Sequence, residues 1–366
     1  MTRYTNLKIY DPSVCGFRDG GLTVKDGIVV STDPCEGGID LGGDLVAPGL
    51  VDVHTHGRGG FDFNTATTEQ MAQMRHLYAQ TGVTTVVPTL ASDTMEGLLR
   101  SIRSIREAGY RAVHLEGRYL NPARRGAHAA ELLAPLCPSD LEALFAASEG
   151  MHLHVSAAYE LDRDGAFLSE VLRRGGTAGL AHTDATFGQA TAAAEAGVRS
   201  FTHLFNAMPP LHHRAGGAIS AGLLSDAYVE LICDGFHLAP ETVRLTHRVK
   251  DPTRVVLITD SMEGTGCPDG RYAIAGNPVI LKGGKAYTEE GAIAGSTLDL
   301  LEGVRNYAAF CGLSFVDALP CATANPAAML GFDDVGALAA GKRADFLRLS
   351  PDLALKEVYV DGKLQS

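Results

Sequence analysis

The sequence predicts an α/β protein: a (β/α)8 TIM-like barrel with a small β-sandwich domain formed by both chain termini. Three observations carry this prediction. Between residues 50 and 260, eight short β-rich runs alternate with helical or loop spacing, which matches the strand count and length of a closed barrel. Histidines and carboxylates recur at the ends of those runs, and barrel active sites form at the C-terminal ends of strands. Both chain ends read instead as short β-rich runs broken by glycine turns. A doubly wound open sheet is the runner-up, but no Gly-x-Gly-x-x-Gly follows an early strand to support it.

The elements follow in order. Residues 1–47 form the N-terminal part of the small β domain, through Leu7-Lys8-Ile9-Tyr10, Gly21-Leu22-Thr23-Val24 and Gly27-Ile28-Val29-Val30. Residues 48–335 form the barrel, and residues 336–366 return to β, centred on Ala344-Asp345-Phe346-Leu347 and Val358-Tyr359-Val360. The first barrel strand contains Val51 and Val53 and ends at His54-Thr55-His56-Gly57. A strand repeats every two residues, so both rings point into one cavity. The next strands are Gly82 to Thr89, Ala112 to Glu116, Met151 to Ala157, Gly179 to His182, Val198 to His203, Val229 to Asp234 and Arg254 to Asp260. Residues 94–108 carry Leu98, Leu99, Ile102 and Ile105 at helical spacing, and residues 189–196 form an alanine-rich helix.

Composition narrows the function. The 366 residues are 45% hydrophobic, enough for a sizeable core, and carry a formal net charge of -12 from 43 acidic and 31 basic side chains. That balance argues against nucleic-acid or anionic-membrane partners but leaves room for a local basic pocket. No apolar run of membrane-spanning length occurs. Met1-Thr2-Arg3-Tyr4 has no secretory segment behind it, and the seven scattered cysteines form no Cys-x-x-Cys. A cytoplasmic protein with reduced thiols is expected.

The chemistry comes from the strand ends. His54, His56, Glu116, His182 and His203 offer imidazole and carboxylate ligands, a set that suits a divalent metal, zinc first. Such an ion acidifies a bound water and polarises a carbonyl. Asp260, fixed behind Val255-Val256-Leu257-Ile258, is then free to take the water's proton and give it to a leaving amine. This combination is amide hydrolysis or a close relative of it. In the loop after His203, Pro209-Pro210 stiffens the chain, Phe205 and Met208 anchor it, Arg214 can grip a phosphate or carboxylate, and the amides near Asn206 and Ala207 can add donors. His237 and His128 are candidates for substrate contact. Adjacent His212 and His213 would face opposite ways in a strand.

These motifs together resemble the N-acetylglucosamine-6-phosphate deacetylases of the amidohydrolase superfamily. The likeness rests on His54-Thr55-His56-Gly57, His114-Leu115-Glu116-Gly117, Gly126-Ala127-His128, Ala181-His182-Thr183-Asp184, Thr202-His203-Leu204-Phe205-Asn206-Ala207-Met208, Asp234-Gly235-Phe236-His237, Thr259-Asp260 and Ala294-Gly295-Ser296, in order along nearly the whole chain. The resemblance implies that Glu116, His182 and His203 hold the main ion. It implies a second ion at His54 and His56 bridged by Glu116, so one or two ions per chain. It makes Asp260 the general base and acid, gives Asn206, Ala207, Arg214 and His237 to the 6-phosphate and sugar, and has His128 contact the sugar or help polarise the amide. It further implies a phosphorylated amino-sugar substrate and a homodimer, with Arg214 and His237 able to act across the interface.

The chain also departs from the family pattern. Arg118 stands where proline usually follows Glu-Gly, Ala215-Gly216-Gly217 replaces Glu-Pro-Gly, and Glu263 adds a carboxylate after Asp260. Arg118, two residues from Glu116, could disturb the metal or recruit another anionic group, and Glu263 adds negative charge near the expected site or faces solvent. Another N-acyl amino sugar such as N-acetylgalactosamine 6-phosphate, another cyclic or linear amide, and a non-catalytic binding protein remain the alternative readings.

Overall fold

The computed structural model describes residues 1–365. The chain opens with β1 (Thr2–Asp11), β2 (Gly16–Lys25), β3 (Ile28–Ser31) and β4 (Ile39–Pro48), longer strands than the short apolar runs suggest. The barrel begins at β5 (Leu50–Thr55), passes a small hairpin of β6 (Gly57–Arg58) and β7 (Phe61–Asp62), and continues through β8 (Val83–Leu90), β9 (Ala112–Glu116), β10 (His152–Ala157), β11 (Thr177–Leu180), β12 (Ser200–Phe201), β13 (Tyr228–Ile232) and β14 (Val255–Ile258). An insertion follows, β15 (Gly270–Ile274), β16 (Asn277–Lys282) and β17 (Lys285–Thr288). The chain then closes with β18 (Phe346–Leu349), β19 (Leu355–Val360) and β20 (Lys363–Leu364).

The eight barrel strands form one parallel sheet in sequence order from β5 to β14. The ring is drawn shut where the Asp260 N–H donates to the His54 carbonyl at 2.9 Å and Thr55 bridges Ser261. The open-sheet alternative is therefore set aside. Outward-facing Val113, Leu115, Leu153, Val155, Leu231 and Leu257 are buried against the surrounding helices. Those helices start where capping chemistry permits. Thr94 caps Met95–Glu107 by accepting from the Gly97 N–H, and Thr67 and Thr186 each form a capping box with a glutamine three residues on. No single helix among the described residues is long and apolar enough to cross a membrane.

The two chain ends interleave in a seven-stranded accessory sheet of order β20-β19-β18-β4-β1-β2-β3. Its core is aromatic: Phe346 stacks on Tyr359 with centroids 4.2 Å apart, and Tyr4 meets both rings edge-on. Buried Asp44 is held by Arg348 at 2.6 Å and Lys356 at 2.8 Å. β4 leads within two residues into β5, so this sheet fixes the entry of the strand that carries His54.

The barrel interior is polar. His114 Nε2 meets Ser156 Oγ at 2.7 Å, and Ser156 Oγ meets Thr202 Oγ1 at 2.8 Å. The Thr259 hydroxyl donates to Asp52 Oδ2 at 2.6 Å. Buried polar groups satisfied by one another give fixed orientations above them. Immediately after His56 the backbone packs so tightly that a Cβ on Gly57 would collide with the Phe61 carbonyl. Gly57→Ala is expected to destabilise the fold by about 2–4 kcal/mol, read from a denaturant melt; an unchanged midpoint would contradict this packing.

Candidate active site

Six of the expected residues converge at the C-terminal mouth of the barrel. The Glu116 carboxylate lies between two imidazole groups. Its Oε1 is 2.7 Å from His203 Nε2 and 3.2 Å from His182 Nε2, while its Oε2 is 3.0 Å from His56 Nε2 and 3.5 Å from His54 Nε2. Asp260 Oδ1 stands 3.2 Å from His56 Nε2. The side chains sort into two clusters able to hold an ion, Glu116 with His182 and His203, and His54 with His56 and Asp260.

The local backbone is unusual. Glu116 ends β9, but His182 and His203 stand two residues beyond β11 and β12. His182, His203 and Asp260 adopt left-handed conformations with φ of 44°, 32° and 50°. Non-glycine residues take this conformation at a cost, and such strain gathers at functional sites. The left-handed turn swings each side chain over the barrel mouth instead of along its strand.

The donor chemistry fits a divalent cation. The Nε2 atoms of His182 and His203 face each other at 3.2 Å, as do those of His54 and His56 at 3.4 Å. Two ring nitrogens with an adjacent carboxylate are a borderline-soft set suited to zinc-like ions. Glu230 supports this from below, with Oε2 3.4 Å from His54 Nδ1 and Oε1 accepting from Ser200 Oγ at 2.8 Å.

The same carboxylates set the protonation of the metal-free site. Burial pulls His56 down, but Asp260 and Glu116 outweigh it and push its pKa up to about 9. His54 is likewise raised well above the usual histidine range against its own burial, chiefly by Glu116. At pH 7 the imidazoles of His54 and His56 therefore carry protons that must be shed before they bind a metal. Metal uptake is expected to release protons at pH 7, and apparent affinity to rise with pH until about 9. Calorimetric titration in buffers of different ionisation enthalpy checks this; a heat independent of buffer would contradict it.

Above the clusters lies a cavity of about 270 Å³, lined by His56, Glu116, His182, His203 and Asp260 and by the expected substrate residues His128, Asn206, Ala207 and His237. The volume suits a small molecule. His128 is buried, and that burial, with the charge of His182, lowers its pKa to about 3. His237 donates from Nδ1 to Asp234 Oδ2 at 2.7 Å, and its buried Nε2 has no protein partner. A ring held by one nitrogen presents the other to a ligand.

Other residues singled out in the sequence sit differently around the site. Arg214 is exposed in a turn and does not line the cavity. The Asn206 backbone amide adds no donor to the cavity, because it is bonded to the His203 carbonyl at 2.9 Å. Arg118 does not line the cavity; its guanidinium reaches the Asp93 carbonyl at 3.5 Å. Glu263 also turns away, accepting from the Ala273 N–H. It thereby braces β15, which Asp62 also holds through the Ala275 N–H at 2.9 Å. His212 and His213 lie in an exposed turn with ring centroids 4.4 Å apart, so strand alternation does not separate them. The insertion supplies cavity residues absent from the sequence reading, Ile274, Asn277, Ala292 and Ile293. Their signal was the alternation of Val279 and Leu281 before Gly283-Gly284, a hairpin pattern.

Metal-competent clusters at the mouth of a parallel eight-stranded barrel, with a carboxylate alongside, define a metal-dependent amide hydrolase. Residues 45–364 match the amidohydrolase family. The chain is 32% identical over 361 residues to an N-acetylgalactosamine-6-phosphate deacetylase of Escherichia coli O157:H7, covering 95% of each chain. It is 33% identical to an N-acetylglucosamine-6-phosphate deacetylase of Bacillus subtilis, covering 92% of this chain and 90% of that one. The structure of an N-acetyl-D-glucosamine-6-phosphate deacetylase from Mycobacterium smegmatis, in complex with N-acetyl-D-glucosamine-6-phosphate, superposes with a TM-score of 0.93 at 33% identity, over 100% of this chain and 99% of that one. The chain belongs to the amidohydrolase family, in the group of the N-acetylhexosamine-6-phosphate deacetylases.

Proposed function

We propose that this protein removes the acetyl group of N-acetylglucosamine 6-phosphate, giving glucosamine 6-phosphate and acetate. The observation that carries the reading is the Glu116 carboxylate set between two histidine clusters, 3.0 Å from His56 and 2.7 Å from His203, with Asp260 beside His56. Glu116, His182 and His203 would hold one ion and His54 and His56 a second, zinc being the best match to this donor set. When bound, the metal supplies Lewis acidity to the attacking water and the acyl carbonyl. Asp260 takes the proton of that water and passes it to the amine nitrogen as the C–N bond breaks. His128 faces the acyl group, His237 meets the sugar phosphate through its unpartnered Nε2, and Asn206 and Ala207 line the same cavity.

Arg214 stands outside its own cavity on a surface that also exposes Phe187, Leu211 and Leu224. A second copy covering these side chains would let Arg214 meet the phosphate in the partner's site, so we read the protein as a homodimer. The catalytic body is residues 48–335, flanked by 1–47 and 336–366. Seven free cysteines support a reducing, cytoplasmic setting.

The test is acetate release from N-acetylglucosamine 6-phosphate, from its galactosamine epimer and from unphosphorylated N-acetylglucosamine. Turnover is expected to favour the phosphorylated glucosamine compound by at least about tenfold over the unphosphorylated sugar. Equal rates on those two would remove the phosphate from the reading. A preference for the epimer would move the assignment to the activity of the Escherichia coli relative.

A further inference from the structure

We propose that Ser92 is a positioning residue that locks His128 into the tautomer with its proton on Nε2, so that this N–H donates to the acyl oxygen of the substrate. The role of the acyl oxygen rests on the deacetylase reading above; the tautomer does not.

The direction of two hydrogen bonds decides the matter. The Ser92 backbone N–H lies 3.3 Å from His128 Nδ1 and the Ser92 hydroxyl lies 2.9 Å from the same atom. A backbone N–H can only donate, so Nδ1 is the acceptor and carries no proton. The hydroxyl oxygen accepts from the Arg118 N–H at 3.1 Å, and a bare Nδ1 leaves the hydroxyl only the donor role toward the ring. Its proton is thereby free to point at His128 as a second donor. Neutral imidazole has one proton, and with Nδ1 bare it sits on Nε2.

The space around this contact is kept for it. Gly117 has φ of 121°, and a Cβ there would strike Ser92 Oγ and approach His128 Nδ1 to 3.3 Å. The glycine after Glu116 thus lets the serine reach the ring. Nε2 lies 3.7 Å from Glu116 Oε2, too far for a hydrogen bond, so the proton is directed into the cavity without being consumed by the carboxylate. In this tautomer His128 is a donor and not a base, which leaves proton abstraction to Asp260.

Nitrogen-15 NMR of the zinc-loaded, histidine-labelled enzyme reads the tautomer without substrate. His128, assigned by its loss in His128→Gln, is expected to show a protonated Nε2 and a bare Nδ1; the reverse pattern overturns the proposal. Ser92→Ala keeps the backbone N–H on Nδ1 and removes the hydroxyl donor, so it is expected to retain the Nε2 tautomer, shift the His128 Nδ1 signal and lower kcat about tenfold with KM within about twofold, and Ser92→Thr to restore both. Unchanged signals and kcat in Ser92→Ala would refute the role of Ser92. Gln places its amide N–H near Nε2 and Asn places it near Nδ1, so His128→Gln should keep at least about tenfold more kcat than His128→Asn. Equal or reversed activities contradict the donor role. If His128→Ala deacetylates at the wild-type rate, the contact with substrate fails, while the spectrum still judges the tautomer.

Discussion

Asp260→Asn is expected to lower kcat for acetate release by about 10²–10⁴-fold, the range lost with a positioned general acid–base group, while the fold and the ion at Glu116, His182 and His203 remain. The substitution is well matched to the site. Asp260 holds φ of 50°, and asparagine is among the few residues that tolerate the left-handed conformation. The N–H bond to the His54 carbonyl is a backbone bond and survives. What disappears is the ability to take a proton. Burial opposes ionisation of Asp260, but the His56 hydrogen bond and the charges of His54 and His56 outweigh it and hold the carboxyl below its usual range. The wild-type group is therefore an anion ready to accept. Wild-type turnover by a folded, metal-loaded Asp260→Asn protein would reject its proton-transfer role.

Glu116→Gln is expected to reduce kcat by at least about 10²-fold, but by a different route. One oxygen of Glu116 faces His182 and His203 and the other faces His54 and His56, so a neutral amide weakens both clusters at once. Metal analysis of the purified variant should show less than half of the wild-type content. The two variants thus separate: Asp260→Asn keeps the ion at Glu116, His182 and His203 and is inactive, and Glu116→Gln is inactive because it is depleted. A full metal complement in Glu116→Gln would show that the carboxylate does not bridge the clusters.

The barrel was readable because its strands are buried on both faces and therefore spell near-continuous apolar runs, as in Val255–Ile258. The convergence of His54, His56 and Glu116 was readable because they sit at or just past strand ends, where period-two geometry sends them to one face. His182 and His203 meet Glu116 as expected, but from a different local structure. Their strands stop two residues earlier, and a positive φ leaves no mark in an apolar pattern. Arg118 was legible as a charge but not as a direction, since the turn after Gly117 points its guanidinium at Asp93. The insertion was missed because β15 and β16 alternate over only a few residues, and its contribution to the cavity depends on carboxylates, Asp62 and Glu263, far from it in sequence or unrelated to its pattern. Ser92 and Glu230 act through other residues, so only the assembled structure shows what they touch.

The most direct measurement is acetate release from N-acetylglucosamine 6-phosphate by protein stripped with a chelator and then titrated with zinc. Turnover should vanish on stripping and return as the Glu116, His182 and His203 cluster fills. Undiminished hydrolysis by protein shown to be metal-free would contradict the account at its centre.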